Sequence, residues 1–178
     1  MNIRHILIAE DDPRDLELTL AALEDYNLAN KVFVVHDGEE ALDYLHCRGK
    51  FKNRTPGNPV ALLLDLKMPK INGIEVLKAI KSDAKLNMIP IVVLTSSREE
   101  PDLAECYHHG VNAYVVKPVD FGEFTKAVKM LGVFWLAVNE PPPVSTPEIA
   151  FVTEEDLLPH TKIDLKYETP APYPALGR

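Results

Sequence analysis

Cysteine is almost missing from this 178-residue chain: Cys47 and Cys106 are the only two. Two cysteines cannot build a disulfide scaffold, so both read as free thiols of a reducing cytosol. A long hydrophobic run is missing as well. The opening MNIRHILIAEDD turns acidic after a short apolar stretch, too short for a signal peptide or a spanning helix. The expectation is a soluble cytoplasmic protein with no membrane contact. Positive charge is in the minority, with 19 Lys and Arg against 27 Asp and Glu and a net charge of −8. General affinity for nucleic acid needs clustered cations that displace counterions, so no nucleic-acid partner is expected. No internal repeat is found. What the chain does have is a 46% hydrophobic fraction, ordinary for a globular protein with a core, and enough length for one domain plus an appendage.

Short apolar runs alternate with helical patterns. Ile6–Ala9, Val32–Val35, Val60–Leu64, Ile91–Leu94 and Val111–Val116 read as strands. Asp12 followed by Pro13 reads as an N-cap and first helical residue, with Leu16, Leu20 and Leu23 spaced along the helix behind it. Further helices are marked by Ala41, Leu42 and Leu45 after Asp37-Gly38, by Ile74, Leu77 and Ile80, by Leu103 and Tyr107, and by Phe121, Phe124, Val128 and Leu131, the last ending near Val138. Continuous rather than alternating apolar strands imply a parallel sheet covered on both faces. The predicted class is α/β, a doubly wound five-stranded parallel sheet with five flanking helices. In such sheets ligands sit at the carboxyl ends of the strands.

Two stretches depart from this pattern. RGKFKNRTPGNP, residues 48–59, is a polar and locally basic loop. The segment 141–178 holds eight of the 15 prolines, a density that forbids a regular helix over most of it. The expected organisation is a domain over 1–139 and a proline-rich extension over 140–178, too short for an independent output domain.

Polar residues do appear where the sheet argument requires them. Glu10, Asp11 and Asp12 follow the first strand, Asp65 the third, Thr95 and Ser96 the fourth, and Lys117-Pro118 the fifth. Carboxylates converging on one rim repel by roughly 4 kcal/mol per pair at about 4 Å and an effective dielectric near 20. A small hard cation such as Mg²⁺ would offset that repulsion and suits oxygen ligands. It would also neutralise charge on an incoming phosphoryl group. Lys117 adds a fixed positive charge, Thr95 a hydroxyl donor, and Asp65 a nucleophile able to form an aspartyl phosphate. Taken singly, each residue has a plainer reading: Asp65 as a turn or cap residue, Thr95-Ser96 as a loop cap, Tyr114 as a strand aromatic, Lys117-Pro118 as a turn.

As an ordered set on five alternating strands, these residues over about 3–138 resemble the response-regulator receiver family, whose fold is flavodoxin-like. The set comprises Glu10-Asp11, Asp65 within DLKMPKINGIE, Thr95-Ser96, Tyr114 and Lys117-Pro118. The resemblance implies that Asp65 accepts a phosphoryl group from a histidine kinase. It implies that Asp11 and Asp65 bind Mg²⁺ directly, with the backbone carbonyl of Lys67 as third protein ligand and Glu10 acting through water. It makes Thr95 and Tyr114 the pair that moves on phosphorylation, Lys117 the contact to phosphoryl oxygens, and Lys117–Pro118 a cis peptide. The face of helix four, strand five and helix five would switch.

The chain is then not expected to turn over external substrates. One rival is a Mg²⁺-dependent phosphatase of the haloacid-dehalogenase class, which needs a second acid two residues after the nucleophile, where this chain has Lys67. Another is a DNA-binding regulator, for which 140–178 offers no helix-turn-helix pattern. The long polar loop and the ending GVFWLAVNEPPP resemble, at the subfamily level, the partners of phytochrome-type sensor kinases. Phe134 and Trp135 either finish the core or anchor an interface. Together with the apolar residues of the tail they suggest a homodimer with embracing arms.

Overall fold

The computed structural model describes residues 5–24 and 31–142. The tail and its expected arm lie outside the described residues. Strands β1 (Ile6–Ala9), β2 (Val32–Val35), β3 (Ala61–Leu64), β4 (Ile91–Thr95) and β5 (Ala113–Val116) alternate with helices α1 (Pro13–Glu24), α2 (Gly38–Leu45), α3 (Gly73–Ser82), α4 (Glu100–His108) and α5 (Phe121–Val133). All pairings are parallel, in the order β2-β1-β3-β4-β5. This is the flavodoxin-like doubly wound order, with its topological switch between β1 and β3.

The apolar runs divide by residue parity, as a period of two requires. Leu7, Ala9, Leu62, Leu64, Ile91 and Val93 face one core with Val76, Leu77, Ile80 and Cys106. Ile6, Ile8, Leu63, Val92 and Leu94 face the other, with Leu23, Phe124, Val128 and Trp135. Each of the three central strands is buried along its whole length, which is why their sequences do not alternate.

Local signals set the helix starts. Asp12 Oδ1 accepts from the Arg14 and Asp15 N–H groups at 2.8 and 3.2 Å, and Asp37 accepts from Glu40 N at 2.7 Å. Asn72 and Glu75 close a reciprocal capping box at the start of α3. Three of the four cations of the basic loop are spent internally. Arg54 donates to the carbonyls of Tyr44, Leu45 and Gly57 and lies 4.1 Å over the Tyr44 ring, closing the open end of α2. Lys50 pairs with Glu40 and Arg48 with Asp43. Beyond α5 the chain adds a π-helical turn, Phe134–Val138, so the helical stretch does end at the expected place. That turn splits the aromatic pair: Trp135 is buried in the core, whereas Phe134 is 45% exposed.

Candidate functional site

Strand register assembles the site. Ile6 to Ala9 pair with Ala61 to Leu64, so Glu10 and Asp65 leave the sheet side by side. Asp65 N donates to Ala9 O at 3.0 Å and Glu10 N to Val35 O at 3.1 Å. On the other flank Thr95 pairs with Val116, and Lys117 N donates to Thr95 O at 2.7 Å. The last backbone bonds of the sheet therefore deliver Glu10, Asp65, Thr95 and Lys117 to one rim.

Lys117 is the centre of the charge arrangement. Its Nζ donates to Glu10 Oε2 at 2.7 Å, Asp15 Oδ2 at 2.7 Å and Asp65 Oδ2 at 2.9 Å. The other Asp65 oxygen, Oδ1, accepts from the backbone N–H of Leu66 at 2.6 Å and of Lys67 at 3.3 Å. Asp65 is thus a buried carboxylate with both oxygens oriented by donors. A Cβ on Gly73 would lie 2.1 Å from the Asp65 carbonyl oxygen, so only glycine lets α3 start this close behind the site.

Burial raises the Glu10 pKa from 4.5 to about 7, against the lowering effect of its hydrogen bond to Lys117 and the Lys117 charge. Burial works against the Lys117 ammonium. The hydrogen bonds to Asp15 and Glu10 and the charge of Asp65 nevertheless hold it above the usual lysine range.

The expected ligand residues do converge. Glu10, Asp11 and Asp65 each present a carboxylate oxygen, all within 4.8 Å of one another. Glu10 and Asp65 are buried and Asp11 is exposed, so the cluster opens to solvent at Asp11. An all-oxygen, carboxylate-rich donor set fits a hard divalent cation and not a soft one. Lys67 is exposed in the loop after Asp65.

Thr95 is fully buried beside the rim, and its Oγ1 accepts from Ser97 N at 3.3 Å. Tyr114, half-buried on β5, donates its hydroxyl to Ser97 O at 3.2 Å. The two expected switch residues are therefore joined through Ser97. Ser97 Oγ donates in turn to Asp102 Oδ2 of α4 at 2.6 Å. Ser96, the residue singled out beside Thr95, points to solvent.

One expectation needs amending. The Lys117–Pro118 bond is trans, since no cis peptide occurs among the described residues. Trans is the form that X-Pro bonds favour by about 0.5–1 kcal/mol, and Lys117 reaches all three carboxylates with it. Asp15 and Ser97 were missed. Asp15 sits in the first turn of α1, where an acid is ordinarily explained by the helix dipole. Its only further signal is its short distance along the chain from the Glu10-Asp11 pair.

The response regulator receiver domain family matches residues 6–129. Response regulator Rcp1 of Synechocystis sp. is 35% identical over 131 residues, covering 74% of this chain and 88% of that protein. The crystal structure of its Mn(2+)-bound form aligns with a TM-score of 0.73 at 34% identity, over 79% of this chain and 99% of that one. The bacteriophytochrome response regulator RtBRR is 57% identical with a TM-score of 0.64, over 80% of this chain and 86% of that one. The phosphorylated cyanobacterial phytochrome response regulator RcpA is 37% identical with a TM-score of 0.73, over 79% of this chain and 99% of that one. The strand order, the acidic rim with its buried lysine and the match over 6–129 agree: this chain belongs to the response regulator receiver domain family and is homologous to two-component response regulators.

Proposed function

We propose that Asp65 is the phosphoacceptor of this receiver and that a sensor histidine kinase, of the phytochrome-associated type, is the donor. The observation that carries the reading is the pair of oriented oxygens on a buried carboxylate, Oδ2 on Lys117 and Oδ1 on the Leu66 and Lys67 N–H groups. One Asp65 oxygen attacks the phosphorus of a phosphohistidine. The new P–O bond replaces the P–N bond, whose electron pair stays on the imidazole, which then takes a proton. Lys117 carries the positive charge that meets the phosphoryl oxygens. Thr95, whose oxygen accepts from Ser97, has its own hydroxyl proton left to donate to them. Asp11, Asp65 and the Lys67 carbonyl are the residues that would hold Mg²⁺, with Glu10 behind them. When bound, that ion supplies charge neutralisation for phosphoryl transfer.

The reading extends to output. Movement of Thr95 toward the phosphoryl group pulls on Ser97, and through it on Tyr114 and Asp102, changing the surface of α4, β5 and α5. The protein is a single-turnover phosphoacceptor rather than a phosphatase, because Lys67 stands where a second acid would act. The names of RtBRR and RcpA favour a phytochrome-type kinase partner. Exposed Phe134, with exposed Met130 and Val138 one turn to either side, supports the homodimer reading through the end of α5.

Labelling with acetyl phosphate and with a purified kinase tests the assignment. Wild type is expected to take up one phosphoryl group and Asp65→Asn none; equal labelling of the variant removes Asp65 from the role. Continued release of product from a chromogenic phosphate ester would favour the phosphatase instead.

A further inference from the structure

The Lys117 ammonium has three N–H donors, and carboxylate oxygens of Glu10, Asp15 and Asp65 take all three. Two of those acceptors belong to the acidic cluster suited to a cation, and Asp65 is also the phosphoacceptor of the reading above. Asp15 is neither. It comes from α1, is 35% exposed against 7% for Lys117, and lies outside the set Glu10, Asp11 and Asp65.

Its orientation is not the default for its place on the helix. Asp15 is the third residue of α1, where an acidic side chain ordinarily folds back to accept from the N-cap N–H. Glu75 does this at the start of α3, bonding Asn72 N at 3.1 Å. In α1 that N–H is already used: Asp12 N donates to Glu10 Oε1 at 3.2 Å. Asp12 itself caps both Arg14 N and Asp15 N. The Asp15 carboxylate is thereby relieved of capping and reaches across to a residue 102 positions away.

We propose that Asp15 is a positioning residue for phosphoryl transfer, the fixed anchor that keeps the Lys117 ammonium on the rim. This rests on the reading of Asp65 as phosphoacceptor. A cation bound by the cluster draws on the Glu10 and Asp65 oxygens, and phosphorylation consumes an Asp65 oxygen. Either event withdraws acceptors from Lys117. The bond to Asp15 persists through both, so Lys117 turns its freed donors toward the phosphoryl oxygens without leaving its place. Asp15 touches neither the phosphoryl group nor the cation and acts through Lys117 alone.

The test is phosphorylation of the full chain by acetyl phosphate in Mg²⁺, with the rate followed over donor concentration for wild type, Asp15→Ala, Asp15→Asn and Asp15→Glu. A charge that is present but misplaced costs transition-state contact. The maximal rate of Asp15→Ala should therefore fall about tenfold, with the half-saturating donor concentration unchanged. Asp15→Glu, which keeps the carboxylate, should recover most of the rate, and Asp15→Asn less. Mg²⁺ affinity, read by titration calorimetry on the unphosphorylated protein, should stay within about threefold of wild type, since Asp15 is not a ligand. An unchanged maximal rate in Asp15→Ala overturns the proposal. So does equal loss in the Glu and Ala variants, which marks a helix-start effect, and so does a large loss of Mg²⁺ affinity, which places Asp15 among the ligands. If wild type is not labelled at all, the Asp65 reading falls and takes this one with it. A labelled wild type with an indifferent Asp15→Ala sinks the anchor alone.

Discussion

Replacing Lys117 by methionine keeps the reach of the side chain and deletes the one positive charge that, among the described residues, meets Glu10, Asp15 and Asp65 together. In the metal-free protein this leaves a net of three carboxylates with no cation, two of them nearly sealed from water at 4% and 7% exposure. Stripping a partner from a buried ion pair costs about 3–5 kcal/mol. The pH dependence separates this cause from a packing defect. In wild type Glu10 titrates at about 7 instead of 4.5. Its folded pKa is raised, so its protonated form is the favoured one in the fold, and stability falls as pH rises from 4.5 to 7 and then levels. Without Lys117 the folded pKa moves higher still, and the decline continues above pH 7 at about 1.4 kcal/mol per pH unit. The loss relative to wild type is thus flat below pH 7 and grows above it. From about 3 kcal/mol at pH 6, where Glu10 is protonated in both proteins, it reaches about 5 kcal/mol at pH 8.5. At about 2–4 °C per kcal/mol for a chain of this size, the melting point drops by about 6–12 °C at pH 6 and correspondingly more at pH 8.5. Urea unfolding in chelator, followed by fluorescence of the single tryptophan, measures it. Mg²⁺ at about 100 times its Kd should return about 2.7 kcal/mol. A loss equal at the two pH values, or below about 1 kcal/mol at pH 8.5, refutes the charge argument.

Other perturbations probe the same construction. Gly73→Ala drives a Cβ into the Asp65 carbonyl, 2.1 Å away; it should cost about 1–3 kcal/mol by overpacking and slow labelling of Asp65, and a variant of wild-type stability would show that the backbone yields freely there. Mg²⁺ beside Glu10 favours its charged form, so apparent affinity should fall as pH drops below about 7; calorimetry in two buffers of different ionisation enthalpy should register proton release at pH 6 and little at pH 8.5. Thr95→Ala should still be labelled but should blunt the phosphorylation-dependent change in partner binding, and a full response would count against the Thr95–Ser97–Tyr114 linkage. Trp135 is buried with its indole N–H unpaired among the described residues. Trp135→Phe, which discards that N–H, should therefore cost well under the about 3–5 kcal/mol expected of Trp135→Ala, as circular dichroism melts would show.

What could be read in the sequence follows from which interactions are local and which cross the sheet. The three central strands were legible because burial on both faces leaves an unbroken apolar run, and α1 and α2 announce their starts with Asp12 and Asp37. The extent of β5 was misjudged for the same reason that β3 was found. Val111 is apolar and buried, but its backbone N–H turns back to Cys106 O, and the ladder begins only at Ala113. Burial is visible in the residue type, whereas the hydrogen-bond partner that distinguishes turn from strand is not. The aromatic pair kept two readings open for a related reason: Phe134 and Trp135 are adjacent and chemically alike, and the sequence does not show which one enters the core, as Trp135 does, and which faces out, as Phe134 does.

The site divides along the same line. Glu10, Asp65 and Lys117 each follow an apolar strand directly and Thr95 ends one, so parallel topology alone brings them together. Asp15 and Ser97 do not end a strand. Each matters through a partner brought near by folding, Lys117 for the one and Tyr114 with Asp102 for the other. Both have an ordinary local explanation that hides this, an acid in a first helical turn and a serine in a loop. The residues expected to do the chemistry are thus the ones that topology can place. Those that hold and transmit it sit one layer out, where sequence position carries no information about the contact. Asp15 and Ser97 flank the rim from opposite sides, one tying Lys117 to α1 and the other tying Thr95 to α4. A change at Asp65 is therefore coupled to two helices through single hydrogen bonds, each open to test by one substitution.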